Sequence, residues 1–101
     1  MTRPQDVELL SIATNCAVVR VPGRSFPGAV VQGDTLRGLL DLASEILRRS
    51  AGGPDPELEE AARGLHEQLS DLIAEYEAAL RRHRLPLPYQ ERRDTADTYA
   101  G

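Results

Sequence analysis

Residues 55–85 carry the constraint that the rest of the chain must satisfy. Asp55 has the chemistry of a helix N-cap, and Pro56 suits the first helical position. Glu57, Glu59 and Glu60 favour the positive end of the helix dipole. A helix is expected over 56–85, where Pro86 would end it. Leu58, Leu65, Leu72 and Ala79 form one heptad series, and Ala62, Leu69, Tyr76 and His83 form a second. Ile73 and Leu80 broaden this seam to one side. A helix of about 30 residues spans roughly 45 Å. A compact chain of 101 residues is only about 35 Å across. The helix should therefore overhang its own domain, and its seam then needs a partner. A two-fold homodimer is the simplest source, with an expected interface of Leu58, Leu65, Leu69, Leu72, Tyr76 and Leu80. The alternative is a helix broken near Gly64 that folds onto the sheet, since glycine costs about 1 kcal/mol in a helix interior.

Ahead of this helix, residues 26–47 read as loop, short strand, tight turn and amphipathic helix. Ala29, Val30, Val31 and Gln32 make a β-prone run that Gly33-Asp34 ends. Asp34 is expected to cap a helix over 35–50. Leu36, Leu39, Leu40, Ala43, Ile46 and Leu47 fit one face of a 3.6-residue period, and Leu42 widens it. Arg48 and Arg49 suit the helix C-terminus, and Gly52, Gly53 and Pro54 stop it.

Two earlier strands are expected, over 7–12 and 16–21, and a third over 29–32. Val7 and Leu9 would lie on one face of the first, Leu10 and Ile12 on the other, so both faces are partly apolar. Thr14-Asn15 suits a hairpin turn, and Pro22-Gly23 has the residue order of a type II turn. The expected architecture is α+β: a small three-stranded antiparallel sheet packed by one helix, followed by a long second helix that dimerises. One domain would cover 1–89. Residues 1–5 read as a frayed end, and 90–101 as a disordered tail.

Pro27-Gly28, Gln32-Gly33-Asp34-Thr35-Leu36, Leu40, Ala43 and Glu45 resemble the signature of HicB-type antitoxins. The resemblance covers roughly 18–47. It implies an x-P-G loop, a strand, a Gly-Asp-Thr-Leu turn and an amphipathic helix, used to mask a toxin by contact. Residues 85–88, Leu-Pro-Leu-Pro, are similar to the proline-rich strand that closes that family's sheet. The chain departs from the family in its inserted 23–26 segment and its very long second helix. The pattern G-R-x-F-P-G…Q-G-D also resembles a group of uncharacterised small bacterial proteins, which implies no activity.

The chemistry-bearing residues do not converge. His66 and Ser70 share a helix face beside Glu67 and Asp71, but a Ser-His-acid set needs a three-dimensional geometry that helical neighbours seldom supply. His83 sits among Arg81, Arg82 and Arg84, where the helix dipole accounts for it. Cys16, the single cysteine, has no His or cation beside it and reads as an inert thiol. Gly23, Gly28 and Gly33 match no phosphate loop. No catalysis, cofactor or metal is expected.

A net charge of −4 opposes the basic footprint of nucleic-acid binders, and all 12 cations are Arg. No run is apolar and long enough for a membrane span or signal peptide, so the default is cytoplasmic. The loop holding Arg24 and Phe26, the chain's one Phe, is the best interaction candidate. Together with Val30 and Gln32 on the adjoining strand it defines a partner-binding surface. The expected function is a non-enzymatic protein-interaction module, antitoxin-like or immunity-like, with itself and a second protein as partners. The alternative is a DNA-binding regulator of the ribbon-helix-helix kind.

Overall fold

A computed structural model describes residues 6–12 and 16–90. The expected turn at Thr14-Asn15, the N-terminal end and residues 91–101 of the expected tail lie outside those residues.

The chain begins with an antiparallel meander, β1 (Glu8–Ile12), β2 (Cys16–Arg20) and β3 (Gly28–Val31), in the spatial order β1-β2-β3. Two helices follow, α1 (Gly33–Ser50) and α2 (Pro56–Arg82). The architecture is the α+β class expected. Cross-strand partners set the faces of the sheet. Leu9 lies opposite Val19 and Ile12 opposite Ala17; Val30 pairs with Ala17 and Gly28 with Val19. The register shifts between Leu9 and Ser11, where Leu10 is the extra residue of a β-bulge. Strict alternation would put Leu9 and Ile12 on opposite faces. The bulge restores both to one face, which corrects the placing of Ile12 opposite Leu9. That face is apolar, with Leu9, Ile12, Ala17, Val19 and Val30. The other carries the Glu8–Arg20 ion pair at 3.4 Å beside Cys16, Val18, Ala29 and Val31, so both faces of the sheet are partly apolar.

The helix packing also differs from the expected one. The apolar stripe of α1 lies on α2, and these two helices form the main helical contact of the molecule. Leu40, Ala43 and Leu47 from α1 are buried with Ala62 and Ile73 from α2. The connection over 51–55 explains the choice. Helices joined by so short a loop pack antiparallel with each other before either can reach a sheet. The loop is well tied. Ala51 N–H donates to Leu47 O at 3.0 Å, Gly53 N–H to Ser50 O at 3.1 Å, and Gly52 N–H to Glu59 Oε1 at 2.7 Å. Gly52 adopts φ +72, which suits glycine. At the other end of the pair Gly33 lies directly under the Tyr76 ring.

The α2 helix runs unbroken through Gly64. Its 27 residues span about 40 Å, against about 27 Å for the 18 of α1. The radius of gyration is 16.6 Å, where a compact chain of this length has about 13 Å. α2 ends at Arg82, three residues before the expected limit. Arg84 takes φ +56, and Leu85 N–H donates to Leu80 O at 2.8 Å while Arg84 N–H donates to Arg81 O at 3.1 Å. These two bonds are the Schellman pattern, favoured because the residue before Pro86 is excluded from helical geometry.

The caps separate two aspartates. Asp55 accepts from Leu58 N–H at 3.1 Å and caps α2. Asp34 is not the cap of α1: that position belongs to Gln32, whose side chain makes no cap bond, and whose backbone O accepts from Leu36 N–H at 2.9 Å. Asp34 accepts from Thr35 N–H at 2.9 Å within the first turn of the helix. Asp55→Ala should therefore cost about 1 kcal/mol. Asp34→Ala should cost only about 0.3–0.5 kcal/mol, through the dipole. Urea midpoints of the two variants, compared with the parent, check the order; equal losses would return the cap to Asp34.

Candidate interaction surface

The loop between β2 and β3 is pinned at its base and open at its tip. Arg24 N–H donates to Val21 O at 3.0 Å, and Gly23 takes φ +83, closing the expected turn. Arg20 reaches across to donate from Nη1 to Ser25 O at 3.0 Å, while its Nε meets Glu8. Phe26 stands beyond this anchor and is 85% exposed. An exposed Phe on a tethered loop is ordered at little further entropic cost when it binds.

The candidate partner-binding residues are neighbours in the chain but not one patch of equal character. Arg24 and Phe26 are both exposed on the loop. Val30 is exposed on the apolar sheet face beside Ile12 and Leu9, which are also exposed, while Val19 at its centre is buried. Gln32 is exposed and begins α1. Among the described residues β3 is an edge strand, and its outer backbone groups face no neighbouring strand there. Leu9 and Ile12 were missed by sequence reasoning because the bulge that turns them to one face has no local signature in residues 8–12.

The heptad residues divide. Leu69, Tyr76 and Leu80 are half-buried in the helix pair, whereas Leu58, Leu65 and Leu72 remain exposed. On α1, Leu39, Leu42 and Ile46 are exposed as well.

A second constellation has no counterpart in the sequence reading. After α2 the chain returns along the helix pair, and Tyr89 Oη donates to Glu77 Oε2 at 2.7 Å. The Arg37 guanidinium, buried to 8% exposure, stands over the Tyr89 ring at 5.8 Å and meets Asp41 at 3.3 Å. Burial, and then the Glu77 carboxylate, push the Tyr89 phenol well above its ordinary range. Pro86 and Pro88 were the available signal, since both favour an extended return. Residues 85–90 add no strand; the sheet has three strands among the described residues. At the surface of α1, Arg48 and then Arg49 hold the Glu45 carboxyl below its usual range.

The residues weighed for catalysis lie apart. His66 and Ser70 are half-buried one turn apart on α2, and Glu67 and Asp71 are exposed. Cys16 is half-buried in β2, with Sγ 3.9 Å from Ala17 O. Among the described residues no three His, Cys, Asp or Glu side chains group as metal ligands. No helix among them is long and apolar enough to cross a membrane.

A family model matches residues 2–89, almost the whole of the described chain, and its description is a family of unknown function, DUF6959. No curated protein and no solved structure matches the chain.

Proposed function

For a chain that belongs to this family, we propose a non-enzymatic protein-interaction module that uses the 23–26 loop and the apolar face of its sheet to hold another protein. One observation carries the reading: Phe26 is 85% exposed on a loop tied down by Arg20, at the end of a sheet whose apolar face is open. Aromatic and Arg side chains supply much of the energy of protein interfaces. Apolar side chains left in water at Leu9, Ile12 and Val30 gain roughly 25 cal/mol for each Å² a partner covers. The free edge of β3 adds backbone groups that can pair with an incoming strand.

The resemblance of 18–47 to HicB-type antitoxins gives this surface a use, the masking of a toxin by contact in the cytoplasm. The inserted 23–26 segment is what would set the choice of toxin. The ribbon-helix-helix alternative asks for a strand that presents polar side chains to a DNA groove. β3, Gly-Ala-Val-Val, offers none, and the chain is acidic.

Affinity capture from the native cell extract tests the reading. The parent chain is expected to retain one stoichiometric protein. Arg24→Ala with Phe26→Ala should reduce that capture at least tenfold with an unchanged circular dichroism spectrum. Undiminished retention by the double variant would remove the loop from the interface.

A further inference from the structure

After α2 the chain makes one sharp turn, at Arg84 with φ +56, and lies back over the helix pair. Residues 85–89, Leu-Pro-Leu-Pro-Tyr, belong to no helix or strand. Each proline biases the residue before it toward extended backbone. Burial alternates along the segment. Leu87 and Tyr89 are half-buried, whereas Pro86, Pro88 and Gln90 are exposed. An extended segment turns every second side chain the same way. Among the described residues, no backbone hydrogen bond ties residues 86–90 to either helix. Pro86 and Pro88 have no N–H to give. The segment is held through its side chains.

That hold has a defined chemistry. α1 supplies Arg37, whose guanidinium lies 5.8 Å from the centroid of the Tyr89 ring. α2 supplies Glu77, whose Oε2 accepts from Tyr89 Oη at 2.7 Å. One tyrosine thus bridges both helices. A cation over the ring face and a carboxylate at the hydroxyl are together contacts that a tyrosine alone can satisfy. Arg37 is 8% exposed, while Leu39 and Leu42 on the same helix stand in water. A charged side chain is seldom buried so far without paired groups around it. Here Asp41, at 3.3 Å, and the Tyr89 ring are among them.

We propose that this side of the helix pair is a binding groove for an extended, proline-flanked segment that carries a tyrosine, and that residues 85–89 close it in cis as an autoinhibitory strap. The occupant defines the chemistry of the ligand: an apolar side chain two positions before a tyrosine, with prolines that keep the free segment extended. Tethering gives the strap an effective concentration of roughly millimolar. A partner's segment enters when it outcompetes the strap. The strap has no backbone bonds to the helices beyond Leu85, so its release leaves the hydrogen bonds within α1 and α2 intact.

A synthetic peptide of residues 84–90 is the probe, added to the full chain and read by amide chemical shifts. Leu87→Ser with Tyr89→Ser empties the groove. That variant should keep the parent's helical circular dichroism, since both residues lie outside α1 and α2. Peptide at about 5 mM, matched to the tethered strap, should shift residues 37–41 and 76–77 of the variant saturably, and those of the parent at least tenfold less. Tyr89→Phe in the full chain deletes only the hydroxyl and should admit the peptide to an intermediate degree. The same peptide with Tyr89→Phe should bind the emptied variant at least threefold more weakly. Phe26→Ala should change none of these shifts, which separates the groove from the loop surface. No shift in the emptied variant, or equal shifts in variant and parent, overturns the proposal. If the double variant loses helix, Tyr89→Phe decides alone: peptide shifts no larger than the parent's make the segment a fixed part of the interior, not a ligand in its own groove.

Discussion

Leu40→Ala should be the most damaging simple truncation in the chain, costing about 2–5 kcal/mol. Leu40 is 3% exposed and sits midway along the contact of α1 with α2. The interior of the helix pair is thin, and no large side chain among the described residues is completely buried. The cavity left by a lost isobutyl group then adds its own cost to the lost transfer energy. A domain of this size is stable by only about 5–15 kcal/mol. Removal of a third or more of that should lower the urea midpoint sharply with an unchanged slope. Leu42→Ala, two residues on and exposed, should cost under 1 kcal/mol. A similar loss at both positions would mean that the helix pair does not pack through Leu40.

Gly33→Ala is the second large effect, expected at about 1–3 kcal/mol. Alanine is ordinarily the better helix former, by about 1 kcal/mol. Here a Cβ would clash with the phenol end of Tyr76, at Cζ, Oη and Cε2. The ring must swing outward from the place where it closes the open end of the helix pair. Tyr76→Ala should also destabilise, by loss of that cover. The two changes together should cost clearly less than their sum, since the clash needs both groups. Thermal melting of the two single variants and the double one gives the cycle; strict additivity would show that Gly33 and Tyr76 do not touch.

The fold class was legible because hydrophobic period and turn chemistry agree in this chain. The strands follow the β-prone runs, Asp55 and Pro56 announce α2, and Gly52 and Gly53 close α1. What escaped depended on geometry that appears only once elements meet. The Leu10 bulge is a property of how β1 pairs with β2, so alternation misplaced Ile12. Asp34 had the right chemistry for a cap, but Gly33 entered the helix first and made Gln32 the boundary. The heptad of α2 spoke correctly of helix packing and could not say that one series would meet α1 while the other stayed in water. Arg37 and Tyr89 stand 52 positions apart, and no local pattern joins a mid-helix Arg to a Tyr after two prolines. Of the candidate surface, Arg24 and Phe26 were visible from residue type and turn context. Leu9 and Ile12 were not.

Functionally, the chain divides its apolar surface between two ends. The sheet and its loop offer an aromatic tip and a free strand edge. The helix pair offers two aliphatic stripes. We propose that the first of these holds a foreign protein. Amide hydrogen exchange tests that assignment most directly, measured on the purified protein and on the complex captured from the extract. Added protection is expected over residues 8–12 and 21–32 in the complex, with α1 and α2 exchanging as they do in the purified protein. Added protection confined to α1 and α2, with the loop and sheet unchanged, would contradict it.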